Sequence, residues 1–201
     1  MNTFDLTFQR VVPVTAEQLW QGWTDATTLM KWFTPAPWKT IDAEIDARPG
    51  GIFRTEMQGP NGESGGGGVG CVLEAIPHRR FVWTSALGPG YVPNVLEEGG
   101  FHFTGILEFL PADAASSGAL GGSSGSASGG SSRGTLYRAT GRHATQADAD
   151  QHAAMGFEVG WGLALDQLVA LFTKAPNTPS SAAISRSRIY LRHPSPTLRR
   201  C

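Results

Sequence analysis

From Phe4 the chain alternates. Phe4, Leu6 and Phe8 are apolar and Asp5, Thr7 and Gln9 polar, the two-residue period of a strand with one dry face and one wet face. Ile41, Ala43 and Ile45 against Asp42, Glu44 and Asp46 repeat the pattern. Further strands are predicted over Ile52–Met57, Val69–Ile76, Arg80–Ala86, Phe101–Leu110 and Thr135–His143, which makes about seven in all. Within Ile52–Met57, Arg54 and Glu56 fall opposite Phe53, Thr55 and Met57, so the two charged residues are expected on the solvated face.

Helical spacing occurs in two regions. Thr15 followed by Gln18 reads as a capping box, and Leu19, Trp20 and Trp23 supply the apolar face of the helix it opens. A second short helix is predicted over Ala26–Trp32. Near the end, Phe157, Trp161, Leu165, Leu168 and Phe172 recur at helical steps in a long helix expected to start at Asp148 or Asp150. Gly156, Gly160 and Gly162 each cost about 1 kcal/mol against Ala inside a helix, so a packed sheet or a ligand is expected to need close approach there. A sheet with one dry face needs a cover, and this helix is the stretch long and apolar enough to supply it. The expected fold is α+β: a curved antiparallel sheet of six to seven strands around a long C-terminal helix, with two short helices after the first strand.

With 201 residues, 40% of them apolar, the chain suits one domain with additions. Ser116 to Ser132 holds eight Ser and six Gly between two predicted strands, so it reads as an overgrown hairpin connection, a disordered loop over 112–133 inside a domain spanning 1–174. Residues 175–201 carry five arginines and no acid among Pro and Ser, and read as a disordered tail. The remainder carries eleven basic against seventeen acidic residues, and the whole chain sixteen against seventeen. No global field draws nucleic acid or an acidic membrane, and beyond Tyr190 the tail offers bases nothing to stack on; no nucleic-acid partner is expected. No run approaches the roughly 20 apolar residues of a membrane span, and the first residues lack a basic and apolar leader. Cys71 and Cys201 form no framework or zinc motif, so a cytoplasmic location is expected.

Two formal motif matches fail on context. Gly65, Gly67 and Gly70 satisfy GxGxxG, but the run reads as a loop leading into a strand, whereas a dinucleotide motif ends a strand and opens a helix. Gly121-Gly122-Ser123-Ser124-Gly125 spells GxSxG in a tract too floppy for a strained nucleophile turn. His78, His102, His143, His152 and His193 lack metal-ligand spacing, so neither a metal nor another cofactor is expected.

Thr24-Asp25, Trp32-Phe33-Thr34-Pro35, Asp46-Ala47-Arg48-Pro49-Gly50-Gly51 with Phe53-Arg54, and Gly70-Cys71-Val72-Leu73-Glu74 form an ordered set. It continues through Phe81-Val82-Trp83-Thr84, Gly134-Thr135-Leu136-Tyr137, His143 and His152-Ala153-Ala154-Met155-Gly156-Phe157 to Gly160-Trp161. In these residues the chain resembles the SRPBCC (START-like, helix-grip) superfamily, with its polyketide cyclase-like members. Within that superfamily it is similar to bacterial proteins like the C-terminal domain of the activator of the heat-shock-protein-90 ATPase. The resemblance implies a helix-grip fold and a cavity between sheet and long helix, where many superfamily members hold apolar or aromatic small molecules. It implies no shared catalytic residue, and neither the Gly/Ser segment nor the Arg-rich tail has a counterpart in the pattern.

Trp83 and Trp161 lead the residues expected to meet a ligand, with Trp32, Phe53, Met57, Phe103, Tyr137 and Met155. His143 and His152 bracket the turn into the long helix. They either order that turn by hydrogen bonds or contact a ligand and move a proton at the cavity mouth. Three readings follow: a domain that binds a small apolar or aromatic molecule, a cyclase- or dehydratase-type enzyme using the same cavity, and a chaperone-associated protein-binding domain. A homodimer is compatible with each.

Overall fold

The computed structural model describes residues 4–96, 98–113 and 134–173. All but the first two residues of the loop expected at 112–133, and the whole tail at 175–201, lie outside them. Seven strands, β1 (Phe4–Val12), β2 (Lys39–Ile45), β3 (Ile52–Gln58), β4 (Ser64–Ile76), β5 (Arg80–Thr84), β8 (Phe103–Pro111) and β9 (Thr135–His143), form one antiparallel sheet. A ribbon of β6 (Leu87–Gly88) and β7 (Val92–Pro93), too short to show a periodic pattern, precedes β8. The sheet order is β1-β9-β8-β5-β4-β3-β2, so the first and last strands are neighbours and Phe4 stands opposite His143. Register shifts at Thr40/Asp42, Glu56/Gln58 and Val72/Glu74 all fall in the β2–β5 half. Each such bulge adds local twist and curls that half of the sheet.

Helix α1 (Ala16–Thr24) starts at the expected capping box: Thr15 Oγ1 accepts the Gln18 N–H at 3.2 Å, and Gln18 Oε1 accepts the Thr15 N–H at 2.9 Å. Helix α2 is shorter than its predicted span, Ala26–Leu29, because the chain tightens into three-residue bonds, Lys31 N–H to Thr28 O and Trp32 N–H to Leu29 O, both 3.1 Å. Arg54 faces outward as read, bonded to Asp42 at 2.8 Å and near Glu44 at 3.6 Å.

Two elements differ from expectation. The glycine run read as a loop, Gly65 to Gly70, lies in strand β4. The Trp38 ring lies against Gly65, so close that a Cβ there would collide with it; the strand is covered by a side chain from elsewhere rather than by its own. The long helix is also two helices. α3 (Gln146–Ala154) is capped by Thr145, whose Oγ1 accepts the Asp148 N–H at 3.1 Å, and α4 (Phe157–Thr173) follows after a 55° bend. Asp148 and Asp150, the expected starts, sit inside α3 because the Thr145 hydroxyl caps the helix earlier, on the Asp148 N–H. Among the described residues no single helix is long and apolar enough to cross a membrane.

α4 supplies the cover that the dry face needs. Ala164, Leu165 and Leu168 are buried in a core holding Val12, Leu19, Trp23, Phe81, Leu107 and Tyr137, and Phe157 is buried at the start of the helix. Burying each leucine contributes roughly 1.5–3 kcal/mol.

The α3–α4 break makes two glycines four residues apart respond oppositely. Gly156 has φ +91°, a region that costs L-residues about 1–2 kcal/mol, while a Cβ on Gly160 would meet no atom within 4 Å. Gly156→Ala is expected to lower stability by about 1 kcal/mol or more, and Gly160→Ala to raise it by about 0.5–1 kcal/mol. Urea midpoints with unchanged transition slopes provide the check.

Candidate functional site

A cavity of about 290 Å³ lies between α4, the segment after α2 and the inner face of β3, β5 and β8. The sheet contributes Met57, Trp83 and Phe103, the segment after α2 contributes Trp32, Phe33 and Pro35, and α4 contributes Phe157, Gly160, Trp161 and Ala164. His152, Met155 and Gly156 stand at the helix break. Among the described residues no lysine, arginine, aspartate or glutamate lines it.

Stacked rings brace its wall. Trp161 stacks on Trp23 (5.7 Å, 23°), Trp23 on Phe53 (6.3 Å, 28°), and Phe53 on Trp83 (4.5 Å, 22°). Trp32 meets Trp23 edge to face at 5.0 Å and donates its indole N–H to Gly22 O at 3.0 Å. The Trp83 ring lies so near Gly105 that a Cβ there would sit 2.9 Å from it. Its buried Nε1 has no hydrogen-bond partner among the described residues.

Of the residues expected to meet a ligand, Trp32, Met57, Trp83, Phe103, Met155 and Trp161 reach the wall, and Phe53 and Tyr137 do not. Phe53 is the filling between Trp23 and Trp83. Tyr137 lies in the core stacked on Phe109 at 6.1 Å, and burial pushes its phenol well above its ordinary value, with the neighbouring Trp23 indole acting the other way. Sequence reading missed Trp23, whose helical spacing reads as core, and Phe33 and Pro35. The backbone holding these last two is fixed by one side chain that no motif flagged. The Gln167 amide of α4 donates to Trp32 O at 2.7 Å and Thr34 O at 2.9 Å, and its oxygen accepts the Ala36 N–H at 3.0 Å.

His143 and His152 meet at one end of the cavity. His143 Nδ1 lies 3.0 Å from Phe4 O, and His143 Nε2 lies 2.9 Å from His152 Nδ1. His152 lines the cavity and His143 stands behind it. The pair ties α3 to β9, as the turn-ordering alternative expects, and it puts one imidazole on the wall. Rings of Phe101, Phe103 and Phe157 lie 5.1, 4.9 and 5.0 Å from His152. Burial among them pushes His152 down to about 4, and the like charge of His143 adds to the effect. A cation near a helix C-terminus is ordinarily favoured, so here desolvation outweighs the dipole. Among the described residues no three His, Cys, Asp or Glu converge as metal ligands.

This shift ties folding to pH. Unfolded His152 titrates near 6.5 and folded His152 near 4, so between those values the unfolded chain takes up the extra proton. His152 therefore contributes its full stability above pH 6.5 and progressively less as pH falls toward about 4. In urea titrations across that window the wild-type midpoint is expected to fall as pH drops, and that of His152→Phe to fall less.

The family model for "Activator of Hsp90 ATPase homolog 1-like protein" matches residues 13–114. A Nitrosomonas europaea protein of known crystal structure is 35% identical, with a TM-score of 0.69 over 84% of this chain and 93% of that one. Structures from Rhodobacter sphaeroides (23% identity, TM-score 0.64, 84% and 91% covered) and Mycobacterium smegmatis (20%, 0.62, 88% and 98%) share the fold. No curated protein matches the chain. On the family match and the Nitrosomonas likeness together, with the curved sheet and its helical cover, the chain belongs to the family of Activator of Hsp90 ATPase homolog 1-like proteins, in the helix-grip fold.

Proposed function

We propose that this domain binds a small, uncharged apolar or aromatic molecule in the cavity between its sheet and α4. The observation that carries the reading is the wall itself: indole and phenyl rings line about 290 Å³ with no carboxylate, ammonium or guanidinium of the described residues among them. An apolar space of this kind, with few polar groups, is the usual form of a small-molecule site. Its volume equals the liquid share of about ten waters, which suits a guest of one or two fused rings. Arg54, which would have paired an anionic guest had it faced inward, is engaged with Asp42 on the outer face. A buried anion without such a partner is strongly disfavoured.

A cyclase- or dehydratase-type reaction in the same cavity is favoured by one observation, the imidazole on the wall. General-base catalysis works best with a group that titrates near the working pH, and His152 is held at about 4. At neutral pH it is a weak base, and binding accounts better for the arrangement than proton transfer does.

Gly160 supplies the test, because its missing side chain is cavity space. Saturable one-to-one binding of naphthalene-sized aromatics to the full chain, read by calorimetry, is expected. Gly160→Leu is expected to weaken it at least tenfold (about 1.4 kcal/mol) with thermal stability retained. Binding that does not saturate, or that Gly160→Leu leaves unchanged in a folded protein, would place the guest elsewhere and remove the reading.

A further inference from the structure

The histidine pair has a polarity that the fold imposes. Backbone pairing sets Phe4 opposite His143, and the Phe4 carbonyl at 3.0 Å from His143 Nδ1 can only accept a hydrogen bond. The hydrogen of an uncharged His143 is therefore on Nδ1, and its Nε2 presents a lone pair. His152 Nδ1, 2.9 Å away, must then be the donor, so the hydrogen of an uncharged His152 is also on Nδ1. The lone pair left over is on His152 Nε2, at the far end of a ring that lines the cavity. That nitrogen makes no hydrogen bond to the described residues and is not among their buried unpartnered atoms, so it keeps accessible surface on a residue that lines the cavity.

The rest of the wall sharpens what Nε2 selects. The Trp32 indole N–H is taken by Gly22 O, those of Trp23 and Trp83 are unpartnered but buried, and among the described residues no charged side chain lines the space. An apolar guest that displaces water from His152 Nε2 leaves an acceptor unsatisfied among phenylalanine rings, whereas a guest with a hydroxyl or N–H replaces the lost bond. A carboxylate would set its own lone pairs against that of Nε2 with no cation to offset them.

Resting on the proposed binding role of the cavity, we propose that its ligands are uncharged aromatic molecules bearing a hydrogen-bond donor, a phenol-type hydroxyl or a ring N–H, which donates to His152 Nε2 while the hydrocarbon occupies the tryptophan-lined space. His143 acts as a positioning residue: it fixes which nitrogen of His152 carries the hydrogen and does not touch the ligand.

β-Naphthol and β-methylnaphthalene test this, since they differ by a hydroxyl against a methyl of similar size. With the full chain at neutral pH, β-naphthol is expected to bind at least about tenfold more tightly than β-methylnaphthalene, and β-naphthoate more weakly than β-naphthol. In His152→Phe the hydroxyl preference is expected to vanish, with the more apolar methyl compound then binding at least as well. Wild-type protein that binds β-methylnaphthalene as tightly as β-naphthol, or prefers β-naphthoate, overturns this inference and leaves the cavity-binding reading standing. Failure of all three to bind overturns both. Nitrogen–proton correlation spectra of the wild-type imidazoles give a check that needs no variant: a bare Nε2 on His152 supports the assignment, and a hydrogen there overturns it.

Discussion

The break between α3 and α4 determines both what the interior encloses and what faces it. α3 packs on β1 and β9, which sets His152 against His143, while α4 starts afresh at Phe157 and crosses the inner face of the sheet. The 55° bend between them places Gly156 where φ is +91° and the chain needs no side chain. Without that change of direction, one amphipathic rod could either cover the core or bring an imidazole to the β9 terminus, and the present arrangement requires both. The apolar stripe over Phe157–Phe172 and the polar α3 sequence Gln146–Ala154 reflect these separate duties.

The space beside α4 persists because its walls are poorly able to collapse. Aliphatic side chains repack into voids by changing rotamers, whereas here Trp161, Trp23, Phe53 and Trp83 hold one another by face-to-face contact, and Trp32 is pinned by its hydrogen bond to Gly22 O. Gln167 adds a polar constraint with three hydrogen bonds to the backbone of residues 32–36 from a single amide, so the segment bearing Phe33 and Pro35 is held to α4. Gly160 completes the space by withholding a side chain from the helix surface that faces it. The glycines beside Trp161 thus serve a purpose other than close backbone contact: the position of a Gly160 Cβ is open, and that of a Gly162 Cβ meets only the Phe8 ring at 3.8 Å.

Two-residue alternation and helical spacing carried most of the fold, because a strand or helix with one buried face writes that face into its own residues. Where burial is supplied from a distance, the pattern is silent. β4 holds Gly65 to Gly70 in a strand whose cover includes Trp38, from a segment more than twenty residues earlier, and no local period reveals it. The cavity shows the same division. Trp83, Trp161 and Phe103 were legible because large aromatic residues on an inward face must meet either core or cavity. Their spacing could not tell those apart, which is why Phe53 and Tyr137 were grouped with them and turn out to be packed behind the wall. Trp23 was lost to the opposite ambiguity. Gln167 and the meeting of His143 with His152 depend on contacts between elements, and neither has a signature along the chain.

The histidines also bear on why an imidazole occupies an otherwise aromatic wall. A reactive base would be served by a neighbouring carboxylate that raises its affinity for protons, the usual companion of catalytic histidine. His152 instead has three phenylalanine rings about it and a second imidazole behind it, and each of these favours its neutral form. An environment that holds a group uncharged while fixing its tautomer makes a directional hydrogen-bonding element with little drive to take up a proton. On the proposed binding role, one such element in a cavity this small and apolar orients a guest as the surrounding rings cannot, since stacking and dispersion tolerate rotation in the ring plane and a single lone pair does not.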